Sequence, residues 1–130
     1  MQALLKILAV DDDFINLKLL HSLLKRNNLV GQVVEASNGL EALNILKSTP
    51  DIHLVLLDIK MPVMDGIEFL INIQAMESFQ SLPVIVLTTD ETRKHEAFEK
   101  GAFDFLVKPI RENDLAQKIL RVYELYATVE

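Results

Sequence analysis

The chain has 130 residues, half of them hydrophobic and a quarter charged, with a formal net charge of −6. That length suits one domain over residues 1–130 with a single substantial core, and the acidic balance argues against direct binding to nucleic acid, which needs a basic face for the phosphates. The absence of cysteine excludes disulfides and thiolate metal sites, no apolar run approaches the roughly 20 residues that span a bilayer, and Met1–Lys6 lacks the order of a signal peptide, so the expectation is a soluble, cytoplasmic chain.

The first apolar run, Ile7–Val10, ends on Asp11, Asp12 and Asp13 and reads as a short buried strand. A helix follows, with Ile15, Leu19, Leu20, Leu23 and Leu24 taken as its apolar stripe and Lys18, His21, Lys25 and Arg26 on the other side. Asp13 is expected to cap it, given the preference for Asp at that position. Gln32–Ala36 is a weaker, more polar strand suited to an edge, and Asn38 with Glu41 has the spacing of a capping pair for a second helix closed by Ser48-Thr49-Pro50.

The most informative stretch is Leu54-Val55-Leu56-Leu57-Asp58-Ile59-Lys60-Met61-Pro62-Val63-Met64-Asp65-Gly66. Its continuous apolar run stops on a carboxylate, which is the pattern of a parallel strand buried on both faces. By itself Asp58 reads either as a turn cap or as a reactive group at the carboxyl end of a strand, the edge where open α/β sheets bind ligands. Asp65 and Glu68 then have capping spacing for a third helix carrying Ile67, Leu70 and Ile71. Pro83–Leu87 is another buried strand, ending at Thr88-Thr89-Asp90. The helix at about 91–100 is unusually polar, with Ala97 and Phe98 as its anchors. Asp104–Val107 is the last strand, ending at Lys108-Pro109, and Leu115, Ile119, Val122, Tyr123 and Tyr126 stripe the final helix. Strict strand–helix alternation predicts an α/β fold, a parallel sheet with helices on both faces and right-handed crossovers.

Parallel strands point one way, so Asp11, Asp12, Asp13, Asp58, Thr88 and Lys108 are expected at one edge of the sheet. Crowded carboxylates repel unless a cation lies among them, and oxygen ligands without Cys or His suit a hard divalent ion, Mg2+ or Mn2+. A carboxylate nucleophile, a metal, a lysine and a hydroxyl are the parts needed to form and hold an acyl phosphate. His21, His53 and His95 fit no ligand spacing. An enzyme alternative, the Asp-x-Asp nucleophile strand of a phosphatase, is contained in Asp11-Asp12-Asp13 but leaves the 58–66 stretch and Lys108-Pro109 unexplained.

Taken in order, Val10-Asp11-Asp12, Asp58 with Met61–Gly66, Thr88, Phe105 and Lys108-Pro109 resemble the receiver domain of bacterial two-component response regulators, of the single-domain chemotaxis-regulator kind, over essentially the whole chain. The resemblance implies a flavodoxin-like (βα)5 fold with strand order 2-1-3-4-5, and a signalling domain rather than an enzyme. It implies that Asp58 takes a phosphoryl group from the phosphohistidine of a histidine kinase or a phosphotransfer protein. It further implies Mg2+ on Asp11, Asp12, Asp58 and the Lys60 backbone carbonyl, Thr88 and Lys108 as contacts to the phosphoryl oxygens, and Phe105 as an aromatic switch beside Thr88. A cis peptide is implied at Lys108-Pro109. The implied output is a change of the fourth-helix, fifth-strand and fifth-helix face that controls a downstream partner, an output domain or homodimerisation. Two residues past the acceptor and two past Thr88, Lys60 and Asp90 are expected to pair across the mouth of the site and set the phosphoryl lifetime. The alternative of a degenerate, never-phosphorylated interaction module is disfavoured by the complete set Asp11, Asp12, Asp58, Thr88 and Lys108.

Overall fold

The predicted strands, apolar except for the more polar Gln32–Ala36, alternate with predicted helices, three of which carry a start signal at Asp13, Asn38 or Asp65. In the computed structural model, which describes residues 3–128, these become strands β1 (Leu5–Val10), β2 (Val30–Ala36), β3 (Leu54–Asp58), β4 (Val84–Thr88) and β5 (Asp104–Val107). They alternate with helices α1 (Phe14–Lys25), α2 (Gly39–Ser48), α3 (Gly66–Gln74), α4 (Lys94–Glu99) and α5 (Glu112–Thr128). The one-domain expectation also takes in residues 1–2 and 129–130, which lie outside the described residues. Among the described residues no helix is long and apolar enough to cross a membrane.

The sheet is parallel throughout, in the order β2-β1-β3-β4-β5. The expected flavodoxin-like order is the observed one. Every residue of β3 and β4 is buried, as central strands covered on both faces must be. Alternation within each strand divides the core in two. Leu8, Val10, Val55, Leu57, Val84 and Val86 face one layer, where they meet Ala42, Leu46, Phe69, Leu70, Ile73 and Ala97 from α2, α3 and α4. Leu5, Ile7, Ala9, Leu54, Leu56, Ile85 and Leu87 face the other, against Leu20 and Leu24 of α1 and Leu115, Ile119 and Val122 of α5.

The caps are local and follow the sequence. Asp13 accepts from the amides of Ile15 (2.8 Å) and Asn16 (3.2 Å). Asn38 accepts from Glu41 N–H at 2.8 Å, and Glu41 returns the bond to Ser37 N–H at 3.2 Å. Asp65 accepts from Glu68 N–H at 2.9 Å. Each satisfies an amide that the first helical turn leaves unpaired.

The phase of α1 differs from the expected stripe. Its buried residues are Leu17, Leu20 and Leu24, whereas Ile15 is 68% and Leu19 62% exposed. At about 100° per residue, Leu17, Leu20 and Leu24 fall within an arc of about 60°, and Ile15 and Leu19 lie on the opposite side. The five residues of the expected stripe therefore span too wide an arc to share one contact face. A smaller correction concerns the fourth helix. It splits into a 3-10 turn, Glu91–Arg93, and the short α4, and only Ala97 anchors it, since Phe98 is 41% exposed. The histidines serve structural roles: His21 pairs with Glu35 at 2.9 Å, His53 accepts from Lys6 N–H at 2.9 Å, and His95 pairs with Glu99 at 2.6 Å.

Candidate functional site

The register of the sheet brings the site together. Val10 pairs with Leu57, so Asp11 and Asp58 emerge side by side; Asp58 itself pairs with Leu87, one residue before Thr88. Thr88 pairs with Val107, one residue before Lys108, and its carbonyl accepts from Lys108 N–H at 2.8 Å. Four strands thus deliver two carboxylates, a hydroxyl and an ammonium to one edge. Asp58 ends β3 as its last paired residue rather than following it.

Asp11 (4% exposed), Asp58 (9%) and Thr88 (3%) are the only buried polar side chains among the described residues. Asp12 is exposed at the rim. One oxygen from each of Asp11, Asp12 and Asp58 lies within 4.8 Å of the others. Among the described residues the cation against them is Lys108, whose Nζ donates to Asp11 Oδ2 at 3.0 Å and stands 3.5 Å from Asp58 Oδ1. Asp11 Oδ1 also accepts from Asp13 N–H at 2.9 Å, which fixes its orientation. Three carboxylates against one ammonium leave excess negative charge at the edge. Burial pushes the Asp58 carboxyl up from 3.8 to about 6, with Lys108 pulling it down and the Asp11 charge pushing it further up. An all-oxygen set of this kind, buried on one side and open at Asp12, fits a hard divalent cation.

Close backbone approaches shape the other wall. Gly66 donates from its N–H to Ile59 C=O at 2.8 Å, and a Cβ at Gly66 would lie 2.6 Å from the Asp58 carbonyl oxygen. Only glycine lets the start of α3 rest on the backbone of Asp58. The Lys108-Pro109 peptide is cis.

The remaining predicted residues divide. Phe105 is buried, 7% exposed, and packs in the core layer of α2, α3 and α4. Thr88 Oγ1 accepts from Asp90 N–H at 3.2 Å. Lys60 is exposed. The expected ion pair between Lys60 and Asp90 is not formed. The Asp90 carboxylate instead accepts from the amide and hydroxyl of Thr92, and these bonds, ahead of the nearby Lys60 charge, hold its pKa low. An Asp at the start of a helical turn satisfies the local amide first.

A cleft of about 740 Å3 runs from Asp11 and Lys108 between α1 and the segment after β5, over Leu20, Leu23 and Ile110. Beside it α1 exposes Phe14 (67%), Ile15 and Leu19, with Lys18 Nζ 5.0 Å from the Phe14 ring centroid. The expected stripe hid this exposed apolar face of α1. The signal that could have revealed it is the spacing of Leu17, Leu20 and Leu24, a tighter arc than the one chosen.

Set beside known proteins, this geometry has many counterparts. The family model described as the response regulator receiver domain matches residues 7–120, and the chain belongs to that family. It is 31% identical over 118 residues to the two-component response regulator ORR11 of Oryza sativa, covering 89% of this chain and 79% of the relative. Among solved structures, the chemotaxis protein CheY4 of Vibrio cholerae superposes with a TM-score of 0.83 at 30% identity, covering 92% of this chain and 99% of that one. A response regulator receiver domain protein from Clostridium thermocellum gives a TM-score of 0.87 at 28% identity, with 98% and 100% covered. The family is a signalling domain of two-component systems and not a conventional enzyme; its members take phosphoryl groups from histidine kinases and act on downstream outputs.

Proposed function

We infer that Asp58 is the phosphoacceptor and that this chain is a phosphorylation-controlled signalling domain. An Asp58 carboxylate oxygen attacks the phosphorus of a phosphohistidine on a histidine kinase or phosphotransfer protein. The Oδ–P bond forms as the P–N bond breaks, leaving an acyl phosphate and the donor's imidazole. Asp11, Asp12, Asp58 and the Lys60 backbone carbonyl would hold Mg2+, for which Mn2+ can substitute. When bound, the ion neutralises charge between the carboxylates and the phosphoryl oxygens. Lys108, held by Asp11, is aimed at a phosphoryl oxygen, and the Thr88 hydroxyl donates to another. What supports this reading most is the approach of Lys108 Nζ to both buried carboxylates, 3.0 Å to Asp11 and 3.5 Å to Asp58.

The donor protein approaches along the cleft between α1 and the segment after β5, over the exposed Phe14, Ile15 and Leu19. Thr88 moves toward the acyl phosphate, and Phe105 follows it as the switch of the α4–β5–α5 face. That face engages a downstream protein or output domain, or a second copy in a phosphorylation-dependent homodimer, because α4 has so few anchors that two arrangements are nearly balanced. Lys60 and Asp90, at the mouth of the site, tune how long the acyl phosphate lasts through steric access of water and long-range charge. We assign residues 1–130 to a single cytoplasmic receiver domain with no direct contact to nucleic acid. Incubation with Mg2+ and acetyl phosphate, followed by intact mass measurement, tests the central step. A phosphoryl adduct on the wild type that is absent from Asp58→Asn supports it, and no adduct with any donor overturns it in favour of an interaction module that is never phosphorylated.

A further inference from the structure

The loop between Asp58 and α3 contains a feature that phosphoacceptor chemistry does not by itself require. Val63 has φ +71°, and Met64 N–H donates to Pro62 C=O at 2.8 Å across it, so the chain makes a γ-turn with a β-branched residue at its centre. A β-branched residue at positive φ is strained. Its side chain is 73% exposed, so little packing offsets that strain. A strained turn persists only where its surroundings over-determine it.

Those surroundings are two glycines. On one side Gly66 binds Ile59 C=O at 2.8 Å. On the other, Gly39 N–H donates to Met64 C=O at 3.1 Å. A Cβ at position 39 would lie 2.7 Å from that carbonyl oxygen and 2.8 Å from Met64 Cγ. Gly39 opens α2 just after the Asn38 cap, and the strand before it is tied to the acidic edge, since Ala36 C=O accepts from Asp11 N–H at 3.1 Å. A ring of backbone bonds and short chain segments therefore runs from Asp11 through Ala36, Gly39, Met64 and Ile59 back to Asp58.

We propose that Gly39 is a positioning residue for the acceptor loop: its N–H and its missing side chain latch residues 60–65 closed against the acidic edge, while the strained Val63 turn biases the loop to open when the latch is lost. The latch fixes where the Lys60 carbonyl stands relative to Asp11, Asp12 and Asp58. This rests on the phosphoacceptor reading only for its purpose, because the latch itself is a matter of backbone geometry.

The test uses the whole chain with Gly39→Ala and, separately, Val63→Gly, read by hydrogen exchange without metal and by calorimetric titration with Mg2+ alone. Gly39→Ala is expected to raise exchange selectively across residues 60–66 by about tenfold, the scale set by one lost hydrogen bond, and to weaken Mg2+ binding by a similar factor. Val63→Gly relieves the strain and keeps the latch, so exchange there stays equal or slows and Mg2+ affinity holds or tightens. Wild-type exchange in Gly39→Ala overturns the proposal, and so does a rise spread evenly over the sheet, which a merely structural role would give. A Val63→Gly loop that exchanges faster overturns it as well, and that variant decides the matter if Gly39→Ala does not fold. Wild type without measurable Mg2+ binding leaves exchange as the deciding readout. A latch seen by exchange in a protein that accepts no phosphoryl group from acetyl phosphate sinks the phosphoacceptor reading and leaves the latch standing.

Discussion

Replacing Asp58 with asparagine should stabilise the metal-free protein at neutral pH. Asp58 is 9% exposed; burial raises its carboxyl from 3.8 to about 6, Lys108 opposes the rise and the Asp11 charge adds to it. The folded protein therefore holds this proton more tightly than the unfolded chain does. The stability that the protonated form contributes is complete below the ordinary value of 3.8 and is lost as pH rises through about 6. A rise of about two units corresponds to about 3 kcal/mol. Water reaches the site beside the exposed Asp12, and that screening reduces the expected effect to about 1–2 kcal/mol. Asparagine keeps the shape and carries no charge. Urea unfolding with a chelator present, at pH 7.5 and at pH 4, checks this. The variant should be the more stable at pH 7.5 by that amount, with the gap closing toward pH 4. A variant no more stable than wild type at pH 7.5, or a gap that ignores pH, would mean that the Asp58 charge is already well accommodated and would refute the reasoning.

Four further outcomes are expected. Lys108→Met removes the cation that faces both buried carboxylates and should cost about 2 kcal/mol at pH 7.5 without metal, the scale of a hydrogen bond to a charged group, measured by the same unfolding; no loss would show that the pair is not coupled. Mg2+ at about 100 times its dissociation constant should stabilise the wild type by about 2.7 kcal/mol, seen as a rise in Tm, and Asp12→Ala should abolish most of the gain. Leu20→Ala should cost about 2–5 kcal/mol and Leu19→Ala less than about 0.5 kcal/mol; the reverse order would restore the stripe that the α1 phase displaced. Lys60→Ala should shorten the life of the acyl phosphate, followed by loss of label, and an unchanged or longer half-life removes Lys60 from any protective role.

Strand identity and the edge where chemistry gathers were legible because both are consequences of short-range pattern. The runs at Ile7–Val10, Leu54–Leu57 and Val84–Leu87 are apolar on both faces, which leaves a buried parallel strand as the simplest solution. Once strands are parallel, their carboxyl ends must meet. The caps at Asp13, Asn38 and Asp65 were legible for the same reason, since each bond closes within three residues. What escaped depends on which of several similar neighbours turns inward. Residues 14–25 of α1 hold seven large apolar side chains, more than one face can bury, and only the seating of α1 on the sheet selects Leu17, Leu20 and Leu24. The Lys60–Asp90 pair failed because a carboxylate at the start of a turn has a nearer claimant in the Thr92 amide. Gly39 carries no motif in the sequence, and Gly66 enters it only as the end of the stretch that follows Asp58. Their real significance lies in the backbone that each lets approach, Met64 in one case and Asp58 in the other.

The bond from Lys108 to Asp11 joins residues 97 apart in sequence, at opposite ends of the strand succession. Neither residue can meet the other until β1, β3, β4 and β5 have paired side by side, and contacts so distant along the chain form late because loop closure must come first. On the proposed function, reactivity at Asp58 arrives only with the completed sheet. A chain still emerging from the ribosome, or one whose last strand has come undone, holds all its acidic residues yet lacks the ammonium that would hold a phosphoryl group. On that reading, acquiring a signal certifies complete folding, because the contact from Lys108 to Asp11 forms only in the finished sheet.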